Sequence, residues 1–478
     1  MINRRVKLSP AAEELEAGFD RIRDEMQLPT EFPMEVEAEA REVERTRLDG
    51  TAYADARAIE FVTIDPEGSV DLDQAFHAER NGTTYVVHYA IADVAAFVSA
   101  GSALDREARR RGQTLYCPDE RIRLYPPKIS EGVGSLLPQQ ERPAVLWTFF
   151  LDEAGRRTSV DVGRALVRSR RQLTYEAAQE AIDGENAGPS LALLKEIGQL
   201  RQELEKERGA VSLEVPEQEV LKKDSSFRLS YRTPLPVEGW NAQISLLTGM
   251  AAADLMLRGE VGLLRTMPPP EEATITKLRH SAAALGVPWP PSTKYPDFIR
   301  TLNPRRPVHA ALLTLTTQLF RGVRYEAISG EAPHHTQHHA IGAAYAHVTA
   351  PLRRMADRFA NEVVLSLASD KKPPEWCLAA LTHLPLEMKE ADRRADELER
   401  RIIDFVEAAV LADRCGEVFD GVVVELHKRG GTVQIREPAV LAPCDGRDLK
   451  LGSTVRVRLL EADPSMGRIK FQLEDASS

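Results

Sequence analysis

The stretch Ile64-Asp65-Pro66-Glu67-Gly68-Ser69-Val70-Asp71-Leu72-Asp73-Gln74 places four carboxylates and one amide within eleven residues. Aspartates this close repel one another unless a multivalent cation lies between them, and a hard, oxygen-seeking ion such as magnesium is the natural counter-charge. Ala58 to Ile64 is an apolar, β-branched run that predicts a strand, and Pro66-Glu67-Gly68-Ser69 is turn chemistry, so Asp65 falls at a strand end. If the chain extends again after the turn, a period of two puts Asp71 and Asp73 on one face, with Leu72 and Gln74 on the other. A solvated acidic turn between two hairpin strands has the same local composition. Spacing alone leaves both readings open.

Outward from this stretch, 478 residues with 43% apolar side chains suffice for two to four domains. A net charge of −11 argues against a generally basic nucleic-acid coat, although arginines cluster locally at 106, 109, 110 and 111, at 164, 168, 170 and 171, and at 353 and 354. Cys117, Cys377, Cys415 and Cys444 have no paired spacing, which argues against a zinc cluster or a disulfide framework and fits a reduced compartment. No apolar run reaches spanning length, and Met1-Ile2-Asn3-Arg4-Arg5 does not open a secretory signal. A cytoplasmic location without membrane association is expected.

Ser9-Pro10 is a helix-start pair, followed by Leu15, Phe19, Ile22 and Met26 at helical spacing; Glu35 to Glu44 is a second helix candidate. This segment reads either as a helix-turn-helix or as a plain helical hairpin packed on the body. Thr84–Val87 and Val145–Leu151 are the clearest strands of a mixed region. Helices are predicted over Leu191–Arg208, Ala242–Arg258, Ala310–Phe320, Met355–Leu367 and 392–414, with Pro268 to Pro307 as loops around one short helix. At 415 the pattern switches to short strands with the size and rhythm of a five-stranded OB barrel. The expected fold is an α+β multidomain chain: helices over 1–50, a mixed domain with a helical second half over 51–414, and an OB β-barrel over 415–478.

The acidic stretch resembles the signature of the ribonuclease II and ribonuclease R family, whose RNB-type catalytic domain carries an Ile-Asp turn followed by an Asp-x-Asp-Asp cluster. Further matches follow in family order: Asp55-Ala56-Arg57, His88-Tyr89-Ala90-Ile91-Ala92-Asp93-Val94, Arg111-Gly112-Gln113-Thr114-Leu115-Tyr116, Arg208-Gly209-Ala210 with Pro216-Glu217, and Ala350-Pro351-Leu352-Arg353-Arg354. The barrel is similar to the family's ribosomal S-one-like module. The amino terminus departs from the family, because the segment before residue 50 is too short and too helical to hold a cold-shock domain.

The resemblance implies a processive 3′ to 5′ exoribonuclease that hydrolyses single-stranded RNA to nucleoside 5′-monophosphates. By the same resemblance, Asp65, Asp71 and Asp73 hold Mg2+, with Mn2+ as a substitute, and Asp73 is the most sensitive position. Gln74 stands where the family has a fourth aspartate; its amide oxygen can ligate but adds no charge. Arg353 matches the arginine that grips the scissile phosphate, a task its planar fork suits. Tyr116 matches a tyrosine that stacks on the terminal nucleotide, Glu399 a glutamate near the base pocket, and Arg354 and Arg111 are expected to contact RNA. Phe419 and Phe471 are the candidate aromatics of the barrel's exposed face. His334, His335, His338 and His339 fit a surface or channel-lining role better than a transition-metal site. A monomer is expected, with no protein partner specified. The rival readings are an RNA-binding chain with a disabled nuclease body, motivated by Gln74, and an enzyme acting on small phosphodiesters.

Overall fold

The computed structural model describes residues 12–45, 53–211, 217–223, 226–232, 234–303, 306–435 and 437–474; Ser9-Pro10 and Pro216 lie outside them. Two helices, α1 (Ala12–Glu25) and α2 (Met34–Arg45), precede a six-stranded sheet. The sheet is built from β1 (Ala54–Asp55), β2 (Phe61–Asp65), β3 (Gln74–Asn81), β4 (Thr84–Ala92), β7 (Glu141–Leu151) and β8 (Arg157–Thr174), in the order β1-β8-β2-β3-β4-β7. Between β4 and β7 come α3 (Ala103–Arg111) and a small hairpin of β5 (Leu115–Tyr116) and β6 (Arg121–Ile122). Asn81-Gly82 makes the tight β3–β4 turn, with Gly82 at φ +63° as such turns require. β4 is buried on both faces, which is why Tyr85 to Ala92 reads as an almost continuous apolar run and not as an alternation. The eighteen-residue β8 pairs antiparallel with β7 and then, from Ser169, parallel with β2, so the sheet curls back on itself.

The helical half follows with α4 (Tyr175–Asp183), α5 (Gly188–Glu207), the hairpin β9 (Glu217–Lys223) and β10 (Ser226–Arg232), and α6 (Pro236–Arg258). α6 starts earlier than its periodicity suggests because Pro236 occupies the first turn, where a missing N–H costs nothing. Next come β11 (Val261–Thr266), α7 (Glu272–Ala284), α8 (Tyr295–Arg300) and α9 (Pro307–Thr316). The proline-rich stretch thus carries two helices where one was expected, since its prolines fall between helices or in their first turns. β12 (Arg324–Ser329), β13 (Gln337–His338), β14 (Ala343–Ala344), α10 (Met355–Ala368), α11 (Glu375–Leu381) and α12 (Leu384–Leu411) complete this half. The carboxy-terminal strands β15 (Val418–His427), β16 (Gly430–Ile435), β17 (Val440–Asp445), β18 (Thr454–Asp463) and β19 (Arg468–Leu473) close a barrel in the order β15-β16-β17-β19-β18.

Apolar burial ties these parts together. One core spans the sheet, α5, α6 and α10; a second joins Leu15, Phe19 and Ile22 of α1 to Ile402 and Phe405 of α12 and to the barrel interior. Phe19 meets Phe405 edge-on at 5.6 Å, while α2 packs on α3, so the two amino-terminal helices lean on different parts of the body. Phe419 and Phe471 are corrected: both point inward and pack on each other at 5.9 Å, because they fall on the barrel's core-facing register. Among the described residues no helix is long and apolar enough to cross a membrane.

Candidate active site

Asp65 ends β2, and the chain then turns through Gly68 at φ +77°. Residues 70–73 are not a strand, contrary to the extended reading of Asp71 and Asp73. A distant serine holds them instead: Ser135 Oγ accepts from Leu72 N at 2.9 Å and donates to Val70 O at 2.7 Å, while Leu136 N donates to Leu72 O at 3.0 Å. The backbone carbonyl of Asp73 accepts from Ala92 N, which fixes where β3 begins.

The Asp73 carboxylate is 3% exposed. Its Oδ1 accepts from the Leu352 backbone N–H at 2.7 Å and its Oδ2 from Arg353 Nε at 3.1 Å, so the acidic loop is joined to a segment 280 positions later. Arg353 is about half exposed at its side chain, and no other hydrogen bond engages its guanidinium among the described residues. Its two Nη groups remain for a ligand.

The β5–β6 hairpin forms the facing wall. Thr114 N donates to Arg353 O and Met355 N to Gly112 O; Gly112, at φ +77°, sits where an added Cβ would lie 2.4 Å from that of Ala391. Tyr116 and Arg121 are direct cross-strand partners. Arg121 Nη1 donates to Asp71 Oδ1 at 2.9 Å. Tyr116 is 51% exposed, and partial burial first, then Asp71, pushes its hydroxyl up to about 12. Arg121 was missed by the sequence reading, although Cys117-Pro118-Asp119-Glu120 is turn chemistry that would have paired it with Tyr116.

Asp65, Asp71, Asp73, Arg353 and Tyr116 therefore share one neighbourhood, and three other candidates do not serve as expected. Gln74 is corrected as a metal ligand. Its Nε2 donates to Thr349 O at 2.6 Å, which settles the amide's orientation, and its Oε1 then accepts from Tyr89 OH at 2.7 Å. The amide braces the sheet against the Thr349 loop. Arg111 is corrected as an RNA contact, because its guanidinium is buried over Phe32 at 3.7 Å and donates to Glu107, Arg123 O and Glu31 O. Arg354 is likewise committed: both carboxylate oxygens of Asp357 accept from it, and Asp357 Oδ2 also accepts from Ala350 N, which shapes the turn that presents Arg353. Glu399 lies exposed on α12. His334 and His335 stack on each other at 4.7 Å, and His339 Nε2 meets Tyr295 OH.

Burial disfavours the charged forms of Asp65 and Asp73. Burial raises Asp65 to about 6, opposed by Arg353 and reinforced by Asp71, and raises Asp73 to about 7, opposed by Arg353 and the Leu352 N–H. Asp65 Oδ2 is buried without a hydrogen-bond partner. Among the described residues no three His, Cys, Asp or Glu side chains form a ready-made metal cage, since Asp71 is drawn to Arg121 and Asp73 to Arg353. The all-oxygen donor set, the orphaned Asp65 oxygen and the raised carboxylates nevertheless fit a hard divalent cation held by Asp65 and Asp73 with Asp71 beside them.

This fit has a thermodynamic signature. A carboxylate that binds protons up to about 6 or 7 when folded, against 3.8 ordinarily, contributes stability that is full below 3.8 and lost as pH rises through 6 to 7. Without divalent ions, thermal midpoints should accordingly fall between pH 5 and 8 more steeply in the native protein than in Asp73→Asn. Magnesium binding at pH 6.5 should release protons, measured by calorimetry in buffers of differing ionisation enthalpy, and the release should vanish at pH 9.

A second expectation concerns the hairpin's support. Arg23 of α1 is 4% exposed and forks onto Asp119 with two 2.8 Å bonds, with Glu120 at 3.0 Å. Asp119 and Glu120 form the turn between Tyr116 and Arg121. Arg23→Met leaves Asp119 enclosed without its cation, which should cost about 3 kcal/mol; Asp119→Asn in the same chain should recover part of that loss of thermal midpoint.

The family model described as the RNB domain matches residues 53–369. The chain belongs to the RNB family. The RNase II-type exonuclease C-terminal S1 domain matches 417–474. Among curated relatives of this RNB chain, Ribonuclease R of Aquifex aeolicus is 27% identical, with 95% of the chain and 70% of the relative covered. Ribonuclease R of Vibrio cholerae is 25% identical (94% and 61%), and that of Escherichia coli 26% (88% and 57%). The RNB chain spans less than two thirds of the length of the latter two. Its fold is similar to Mycoplasma genitalium RNase R in complex with ribose-methylated single-stranded RNA, at TM-score 0.87 and 19% identity over 97% of this chain and 78% of that one. It is also similar to yeast Ssd1, a pseudonuclease, at TM-score 0.69 and 19% identity over 93% and 57%.

Proposed function

We propose that this RNB chain is a 3′ to 5′ exoribonuclease that draws single-stranded RNA to the Asp73–Arg353 centre and releases nucleoside 5′-monophosphates, acting processively, as a monomer, in the cytoplasm, with Mg2+ as its ion. The observation that carries the reading is the buried carboxylate of Asp73 tied to a half-exposed guanidinium that lies within electrostatic reach of the half-exposed Tyr116. The ribonuclease R relatives and the RNA-bound neighbour support it.

Each group then has a task. Tyr116 offers a ring face to a terminal base without regard to its identity. Arg353 Nη groups take the non-bridging oxygens of the last phosphodiester, and the positive charge counts most as negative charge builds on them. Asp65 Oδ2, buried without a hydrogen-bond partner, would be one of the oxygens that hold the ion. Water oxygen bonds to phosphorus and gives up a proton to solvent, the bond to the 3′ oxygen breaks, and solvent returns a proton to that oxygen, which becomes the shortened chain's new hydroxyl. A divalent ion, when held by Asp65 and Asp73, would lower the pKa of that water and neutralise phosphate charge.

Digestion of a 5′-labelled oligoribonucleotide tests this. Progressive shortening from the 3′ end with magnesium, mononucleotide product and no reaction in EDTA are expected. Internal cuts, or undiminished reaction in EDTA, would refute it; tight RNA binding without mononucleotide release would identify an RNA-binding chain instead.

A further inference from the structure

The turn joining β7 to β8 and the carboxy-terminal end of α5 border an open cavity of about 390 Å³, lined by Arg156, Arg157, Arg201, Leu204, Glu207 and Arg208. Two of its four arginines are answered by acids: Arg156 by Glu207 at 2.8 Å and Arg157 by Asp254. The other two are not paired in this way. Arg201 is 4% exposed and donates from Nη1 to the Gly155 carbonyl at 3.1 Å, while its buried Nε has no acceptor. Arg208 donates from Nε to Ile341 O at 3.4 Å, and its buried Nη2 has no acceptor. Glu205 lies near both arginines and offsets part of their charge while its Oε2 accepts from Gln243, so four guanidinium groups meet the three carboxylates of Glu207, Asp254 and Glu205.

Positive charge is therefore concentrated here beyond what the neighbouring acids balance. Burial, and then Arg208 and Arg157, hold the Arg201 guanidinium down to about 10. A buried N–H without an acceptor costs stability, and for a charged donor the loss is larger still. An oxyanion restores acceptors and charge together, and guanidinium forks match tetrahedral phosphate oxygens closely.

We infer that this cavity is a second anion site, which binds a phosphate group through the guanidinium groups of Arg201 and Arg208, the two lining arginines without an ion pair among the described residues. It is separate from the Asp73–Arg353 centre. That centre lies at the end of the sheet where Gln74 pairs with Ile91 and Ile91 with Val145, whereas the cavity lies at the end where Leu151 pairs with Arg157. The six residue steps from Val145 to Leu151 correspond to roughly 20 Å. The inference stands whether or not the chain hydrolyses RNA. Free phosphate and the 5′-phosphate of a nucleoside monophosphate present the same group, and the experiment separates them.

Calorimetric titration of the full chain with inorganic phosphate, and separately with adenosine 5′-monophosphate, is carried out at constant ionic strength with chloride as the balancing salt. For at least one of these probes a saturable component is expected to persist in Arg353→Ala, where binding at the other centre is removed, and to weaken at least tenfold when Arg201→Met or Arg208→Gln is added. Binding of phosphate alone assigns the site to the free ion, and comparable or tighter binding of the nucleotide assigns it to the phosphomonoester. If Arg201→Met does not fold, Arg208→Gln, at a less buried position, decides. Absence of saturable binding by both probes overturns the inference. So does binding that survives Arg208→Gln but disappears in Arg353→Ala, since it would then belong to the other centre.

Discussion

Asp73→Asn is expected to cut mononucleotide release about a thousandfold while RNA affinity holds or rises. The substitution keeps the shape of a side chain that is almost fully enclosed, and an amide oxygen can still accept from the Leu352 N–H. What goes is the negative charge that orients Arg353 and would help hold a divalent ion. Interactions that count mainly in the transition state are worth factors of about a hundred to a thousand each, and this one carboxylate serves two of them. Removing an anion beside a phosphate channel does not weaken ground-state binding of RNA. Single-turnover digestion together with filter binding checks both halves, and an Asp73→Asn protein that still releases mononucleotides at the native rate would show that the chemistry lies elsewhere.

Arg353→Ala should lower the same rate by at least about a hundredfold, and Arg353→Lys should recover little of it. Nε is committed to Asp73, so the side chain acts as a bridge whose outer nitrogens alone reach the substrate. An ammonium group has no fork with which to do both, and its charge is more strongly hydrated. The loss should appear chiefly in kcat, because the charge on the phosphate oxygens grows toward the transition state. Alanine and lysine variants of equal activity would argue that the guanidinium geometry is irrelevant.

Much of this centre was legible in the sequence because its parts are local or carried by motifs. A β-branched run followed by Pro-Glu-Gly placed Asp65 at a strand end, and Ala350-Pro351-Leu352-Arg353 marked the arginine. What was not legible depends on distant partners. Asp71 and Asp73 lie in a loop and not a strand because Ser135, 63 positions away, holds Leu72. Gln74 appeared to be a weakened ligand, but Tyr89 and Thr349 claim both ends of its amide. Arg111 and Arg354 belong to arginine-rich runs whose members the sequence cannot rank by direction. In the fold, one turns inward onto Phe32 and the other onto Asp357.

The separation of 280 positions between Asp73 and Arg353 also bears on biosynthesis. At about 5–20 residues per second, the acidic loop leaves the ribosome roughly 14 to 56 s before the arginine that completes it. Until then the half-made chain carries the acidic loop without the Leu352 N–H and Arg353 guanidinium to which Asp73 bonds in the finished fold.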